Sequence, residues 1–368
     1  MKVLWLTNVP SPYRVDFFNE LGKYCHLTVL FEKSDSSERE KGWVNHNFTN
    51  FKGVFLKGKT IDVDKAICPI VVKILRRYRY DFIVVTNLAT PTGIMAIEYM
   101  KIHKIPYLLE GDGGFTKSGK GIKERYKKHL VKGALAYLSS SKSLDDYFLT
   151  YGATPEDIYR YPFTSVLEKD IIPYVLNQEE KEQIKSRLGI TKKKIVLSIG
   201  QFIHRKGYDI LLRASQNLNA DTGVYIIGGK PTEEYEKLVK ELKLTSVYFT
   251  PYKSKDALKD YSLVADLFVL PTREDVWGLV INEAMANGLP VITTDRCVAG
   301  LELIEEGKNG YIVQVGDIAL LEERMIQLLE DNSLRLMMAN FNLETIKCYT
   351  IETMAKRHME IFKELLAE

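Results

Sequence analysis

Short, nearly continuous apolar runs alternate along this chain with segments whose apolar residues recur every three to four positions. KVLWL (2–6) precedes a proline-bounded loop and an amphipathic stretch at 15–21. LTVLF (27–31) is followed by a predicted helix over 65–79, DFIVV (81–85) by one over 92–103, and PYLLE (106–110) by one over 122–135. LAYLSS (135–140) closes this first series. Strands that are apolar on both faces and separated by helices predict a parallel sheet covered on both sides.

Residues 163–193 break the rhythm with Pro173 and the charged segment NQEEKEQIKSRLGITKKK, read here as an inter-domain passage and the first helix of a second domain. The alternation then restarts. KIVLSIG (194–200), GVYIIGG (223–229), VYFTPY (247–252), ADLFVLP (265–271) and PVITT (290–294) read as strands. Helices are predicted over 207–218, 232–242, 254–262 and 279–287. After NGYIVQ (309–314) the chain reads as helical to about residue 332, and its last 25 or so residues are helical without a closing strand. Two similar α/β halves in tandem predict two lobes around a cleft, consistent with 368 residues and the usual size of a domain.

Composition narrows the class. With 45% hydrophobic and 27% charged residues, disordered, collagen-like and disulfide-rich chains are excluded. Cys25, Cys68, Cys297 and Cys348 lie far apart with no C-x-x-C pair, as expected of thiols in a reducing compartment. The first apolar run is too short for a signal peptide, and no run approaches a membrane span, so a cytoplasmic protein is expected. A net charge of +3 argues against a dedicated nucleic-acid binder. That charge is uneven: residues 1–170 carry +7 and residues 171–368 carry −4. The asymmetry fits either an anionic partner facing the first half or unevenly solvated faces.

Four motifs bear on chemistry. Gly53-Val-Phe-Leu-Lys-Gly58-Lys59-Thr60 matches the letters of a phosphate-binding loop, but polar residues precede it and VFLK itself reads as a strand. Asp62-Val63-Asp64 stands just before the predicted helix at 65–79 and reads as helix capping rather than as a metal-binding pair. GQFIHRKG (200–207) follows a buried strand and precedes a helix, at the sheet edge where ligands of such folds bind. There Arg205 offers a planar fork and Lys206 a point charge, a combination suited to a diphosphate or simply a solvated pair.

The fourth motif, PTREDVWGLVINEAMANGLPVI (271–292), carries Glu274 and Asp275 in a loop, then Gly278 and a helix start. A helix N-terminus binds phosphate, whereas carboxylates beside it accept hydrogen bonds from hydroxyls. Asp275 and Glu283 are eight residues apart and able to face one ligand, and Ile281, Ala284 and Met285 predict a buried neighbourhood for Glu283. A diphosphate between two polyols, a nucleotide sugar, fits this set.

Together GQFIHRKG and TREDVWGLVINEAMANGLPVI resemble the retaining glycosyltransferases of family 4 (glycosyl transferases group 1), with the GT-B fold of two Rossmann-like parallel-sheet domains facing across a cleft. The resemblance implies that Arg205 and Lys206 bind the donor diphosphate and that Asp275 and Glu283 bind the transferred sugar and the ribose. Asp275 stands where the family has Glu, and Glu274 beside it is able to share the role. It also implies phosphate and sugar contacts around Gly278 and Leu279, and a base site near Tyr252. It divides the chain into an acceptor-side domain (1–165), a donor domain (166–348) and a C-terminal helix (349–368) crossing back to the first domain.

In the first half the resemblance is looser. Pro10-Ser11-Pro12-Tyr13-Arg14 replaces the family's Gly-Gly loop, and Asp112, in Glu110-Gly111-Asp112-Gly113-Gly114, falls nearest the family's catalytic His. Tyr13, Arg14 and Glu110 are assigned to the acceptor side. Asp112 is assigned to catalysis with Asp275, Arg205 and Lys206, although D-G-G is also an ordinary turn. Between Lys117 and Lys132, KSGKGIKERYKKHLVK carries seven Lys/Arg against Glu124, with Ile122, Tyr126 and Leu130 at helical spacing. It suits peripheral contact with an anionic membrane or a solvated helix packed on the sheet.

The reading is a hexosyltransferase moving a sugar with retention from a UDP- or GDP-linked donor to a glycan or lipid-linked acceptor, in cell-surface polysaccharide or glycolipid synthesis. No cofactor and no metal are expected, since Arg205 and Lys206 neutralise the leaving group. The expected place is the cytoplasm, at the inner face of the plasma membrane. A GT-B sugar-nucleotide epimerase and a non-catalytic transferase-like subunit remain alternatives with the same donor site.

Overall fold

The apolar runs form the strands of two parallel sheets in a computed structural model that describes residues 1–35, 44–62, 65–77, 79–116, 119 and 121–367. The chain divides into two units, one comprising Met1–Ser165 with Tyr349–Glu368 and the other Val166–Cys348.

In the first unit the strands are β1 (Lys2–Thr7), β2 (His26–Phe31), β3 (Lys52–Phe55), β4 (Lys59–Asp62) and β5 (Lys65–Ile67). They continue with β6 (Phe82–Val85), β7 (Leu108–Gly111), β8 (Ala136–Ser139) and β9 (Ile158–Arg160). Between them run α1 (Pro12–Leu21), α2 (Ile70–Arg77), α3 (Pro91–Ile102), α4 (Ile122–Val131) and α5 (Lys142–Thr150). Seven strands form one sheet in the order β3-β2-β1-β6-β7-β8-β9, and its pairings are parallel. Strand order turns at β1 and β6, so the loops after these two strands flank the crevice of the sheet's C-terminal edge.

Helix α1 begins at Pro12, three residues before the amphipathic stretch that predicts it, because proline suits a first helical position where the N–H has no partner. Tyr13 and Arg14 therefore stand in its first turn and not in a loop. Residues 65–79 correct the sequence reading more sharply. Lys65–Ile67 pair antiparallel with Lys59–Asp62 as a hairpin, and the helix starts only at Ile70, after Pro69. Asp62 therefore caps no helix. It lies in β4, 3.3 Å from Lys65, while Asp64 falls outside the described residues. Gly53 lies inside β3, so no phosphate loop forms there. The helix predicted over 122–135 ends at Val131, where Lys132 turns to extended backbone.

A last helix, α14 (Ile351–Ala367), belongs to this unit. Its Phe362 stacks on Phe82 with centroids 4.9 Å apart, and His358 packs against Phe17 and Tyr161. Each fully buried phenylalanine of this kind contributes about 2 kcal/mol.

The second unit starts with α6 (Gln178–Leu188), whose capping box is closed by Asn177 and Glu180. Its strands are β10 (Lys194–Ile199), β11 (Thr222–Ile227), β12 (Val247–Thr250), β13 (Leu267–Leu270), β14 (Val291–Thr294) and β15 (Gly310–Val313). Its helices are α7 (Tyr208–Ala214), α8 (Glu233–Glu241), α9 (Lys255–Val264), α10 (Leu279–Ala286), α11 (Val298–Leu303), α12 (Ile318–Glu330) and α13 (Asn332–Ile346). The parallel sheet runs β12-β11-β10-β13-β14-β15. Ile195, Val196 and Leu197 in β10 and all four residues of β13 are fully buried, which accounts for their unbroken apolar runs. Strand order turns at β10 and β13, and that is where GQFIHRKG (200–207) and the motif at 271–292 stand.

Candidate active site

The loops after β10 and β13 meet because glycine lets them. Gly207 has φ +69°, and a Cβ there would lie 2.1 Å from the Pro271 carbonyl oxygen. Gly278, at φ +104°, opens α10, and a Cβ there would meet Cys297 Sγ at 2.7 Å. Burial, and after it the Asp275 carboxylate, push that Cys297 thiol up to about 12.

Between these loops Asp275 accepts from Arg205 Nη1 at 2.9 Å and from Lys206 Nζ at 2.5 Å. Arg205 Nη1 also donates to the Glu274 carbonyl at 2.8 Å. Asp275 and Lys206 are nearly buried, whereas the Arg205 side chain is 43% exposed. The Glu274 carboxylate turns to Arg296 at 3.2 Å, which occupies the group expected to share the work of Asp275. Glu283 is half-buried on α10 among the buried Ile281, Ala284 and Met285, as its surroundings in sequence predict. Gly278 is buried and Leu279 half-buried at the same helix start. Tyr252 lies apart from this cluster, 52% exposed just beyond β12 at the sheet's edge.

Sequence reading overlooked what holds these loops. Thr272 Oγ1 and Arg273 N both donate to the Arg205 carbonyl, at 3.0 and 2.8 Å. Arg273 also grips Asp209, at the start of α7, through both ends of its fork (2.8 and 2.7 Å). Burial works against the Asp209 charge, but the Arg273 fork outweighs it and holds the carboxyl below its ordinary value. The only signal in the sequence was an arginine inside the longer motif.

In the first unit, β7 delivers Glu110 into a buried network. Arg14 forks onto both Glu110 oxygens (2.7 and 2.9 Å) and also donates to Asp112. Tyr161 OH and Thr86 Oγ1 donate to Glu110 at 3.0 and 2.7 Å, and Trp5 Nε1 donates to Thr86 at 2.8 Å. Tyr13 OH donates to Asp112 at 2.9 Å. Arg14 and Glu110 are buried, while the Asp112 side chain retains 26% exposure and Tyr13 is half-buried. Burial alone would raise both carboxyls. For Glu110 the Arg14 guanidinium outweighs it and holds the group low, but for Asp112 burial, with the Glu110 charge adding to it, keeps the carboxyl raised. Two carboxylates thus share one arginine, and their proton affinities are shifted in opposite directions.

On α4 only Leu130 and Val131 are buried. Ile122 is 86% exposed, and Tyr126 is exposed with its OH on Glu98. Lys123, Arg125 and Lys128 are exposed on the same helix, while Lys117, Ser118 and Lys120 lie outside the described residues. Among the described residues no helix is long and apolar enough to cross a membrane, and no group of three or more His, Cys, Asp or Glu side chains is placed to hold a metal ion.

Two Rossmann-like parallel-sheet units in one chain make the GT-B architecture of glycosyltransferases. The fold is shared with sucrose-phosphate synthase from Thermosynechococcus elongatus (TM-score 0.78, 16% identity, 100% of both chains). It is shared equally with Anabaena HepE in complex with UDP (TM-score 0.78, 17% identity, 99% of this chain and 100% of that one). Residues 180–344, a little under half of the chain, match the family described as glycosyl transferases group 1. A relative in Campylobacter jejuni, N,N'-diacetylbacillosaminyl-diphospho-undecaprenol alpha-1,3-N-acetylgalactosaminyltransferase, is 24% identical over 309 residues, 80% of each chain. Several other curated relatives align over less than half their own length.

Proposed function

We propose that this chain is a retaining hexosyltransferase that moves a sugar from a nucleotide-diphosphate donor to a glycan or lipid-linked saccharide in cell-surface polysaccharide or glycolipid synthesis. The observation that carries this reading is the convergence of Arg205, Lys206 and Asp275 where strand order turns, beside the start of α10. Arg205 and Lys206 take the diphosphate and stabilise the charge that develops as it leaves. The α10 start at Gly278 and Leu279 adds N–H groups to that phosphate. Glu283 accepts from the ribose hydroxyls, and the base lies toward Tyr252.

When phosphate oxygens replace Asp275 on the two cations, its carboxylate is released to accept from hydroxyls of the transferred sugar. The acceptor hydroxyl attacks on the face the diphosphate leaves, and its proton passes to the departing phosphate oxygen. In the first unit Asp112, with Tyr13 beside it, is assigned to an acceptor or sugar hydroxyl, and Arg14 and Glu110 hold it in place. No metal enters this scheme, because the two cations supply the positive charge.

The printed substrate of the Campylobacter relative, a sugar on diphospho-undecaprenol, supports a lipid-linked acceptor, and the UDP in the Anabaena structure supports a UDP donor. An acceptor of that kind places the protein at the inner face of the plasma membrane, with the basic α4 against anionic lipid. Thermal-shift or mass-spectrometric binding against a panel of UDP- and GDP-sugars tests the donor. Transfer to a lipid-diphosphate saccharide that persists in EDTA tests the rest. Epimerisation of the donor without acceptor would support the epimerase reading instead.

A further inference from the structure

The turn that carries the cation pair hangs from the neighbouring loop by its backbone. Two of its carbonyls, those of His204 and Arg205, are gripped from the β13 side: His204 O by Arg273 Nη1 at 2.9 Å, and Arg205 O by Arg273 N and Thr272 Oγ1. The same Arg273 fork closes on both oxygens of Asp209 in the first turn of α7, the helix into which the turn leads. One side chain therefore ties the loop after β13 to the turn and to the helix following it. Arg273 and Asp209 are about one-quarter exposed each and match each other's charge, so together they add no net charge to the site. Arg205 and Lys206, by contrast, share the single carboxylate of Asp275.

We propose that Arg273 and Asp209 are positioning residues for the donor diphosphate, a brace that sets where Arg205 and Lys206 stand without touching the ligand. The proposal rests on the donor-site reading above. Charges that stabilise a leaving group act in proportion to how well they are placed beforehand, and small displacements are costly. Only arginine can bind a carboxylate with two parallel bonds and still reach a carbonyl with the same planar group. Arg273→Lys keeps the charge and loses the fork.

The test is calorimetric titration of the full chain with UDP, GDP, UMP and GMP, with thermal melting alongside. Whichever diphosphate binds the unaltered protein should lose about tenfold in affinity in Arg273→Lys and Asp209→Asn, the effect of one charge-assisted hydrogen bond. The matching monophosphate should change by less than about twofold, because the brace acts through cations aimed at the diphosphate. Combining Arg273→Asp with Asp209→Arg restores the ion pair but not the donor to His204 O, so the defect should persist at restored melting temperature. Equal losses for mono- and diphosphate, or full recovery in the exchanged pair, would overturn the brace. Arg205→Ala separates the two readings. If it leaves diphosphate affinity unchanged, or if neither diphosphate binds the unaltered chain, the donor reading fails. If it weakens binding while Arg273→Lys and Asp209→Asn do not, only the brace fails.

Discussion

Lys206 Nζ lies 2.5 Å from Asp275 Oδ2, with both side chains nearly buried and Arg205 closing on the other carboxylate oxygen. In the proposed scheme this carboxylate and the donor diphosphate compete for the same two cations. In Asp275→Asn the competitor is gone, so UDP or GDP is expected to bind about three- to tenfold more tightly while sugar transfer falls. Calorimetry and initial rates check both directions, and unchanged or weaker nucleotide affinity would count against competition.

Arg205 is half-exposed and Glu283 half-buried, so neither holds the core together. Arg205→Ala and Glu283→Ala should each abolish donor turnover while stability stays within about 1 kcal/mol of the parent. Near-normal rates with intact melting would sink the site assignment.

Glu110 and Asp112 respond differently to loss of charge. Removing one partner of a buried ion pair strands the other, so Glu110→Gln is expected to cost about 3–5 kcal/mol of stability. Asp112→Asn should cost much less, because Arg14 keeps both bonds to Glu110 and Asp112 reaches solvent. Urea unfolding of the two variants measures the contrast, and equal midpoints would contradict it.

His358 is fully buried in α14, and burial pushes its imidazole from 6.5 down to about 4. The unfolded chain therefore takes up this proton first as pH falls. Stability should decline from about pH 6.5 to about pH 4 and level off below, by about 3 kcal/mol from this group. His358→Gln should flatten that part of the profile, whatever its effect at neutral pH. Denaturation at several pH values decides, and parallel profiles would rule out His358 as the source.

Lys123, Arg125 and Lys128 are exposed on α4, as is Ile122 at its start. Each cation near an anionic bilayer contributes about 1 kcal/mol. Lys123→Glu with Lys128→Glu should release the protein from vesicles containing phosphatidylglycerol, as should raised salt. Cosedimentation unaffected by either change would dispose of membrane contact through this helix.

Strands buried on both faces were legible because burial leaves them no polar position, as KVLWL and ADLFVLP show. None of the three residues of β9 is buried and α11 has only six residues, so neither produces a periodic signal. Lys65–Ile67 reads equally well as the start of a helix, and only pairing with Lys59–Asp62 makes it a strand. The cation pair and the two acids were visible as local motifs. Arg273 and Asp209 stand 64 residues apart, and only the neighbouring positions of β10 and β13 bring them together.

The place of α14 has a consequence for synthesis. Val166–Cys348 is one uninterrupted stretch of chain and holds everything its own sheet needs when its last residue leaves the ribosome. The first 165 residues emerge earlier, yet Phe17, Tyr161 and Phe82 pack against His358 and Phe362, which are made after the whole second unit. The unit translated first is therefore the one completed second, and until α14 arrives it presents an uncovered aromatic face to the cell.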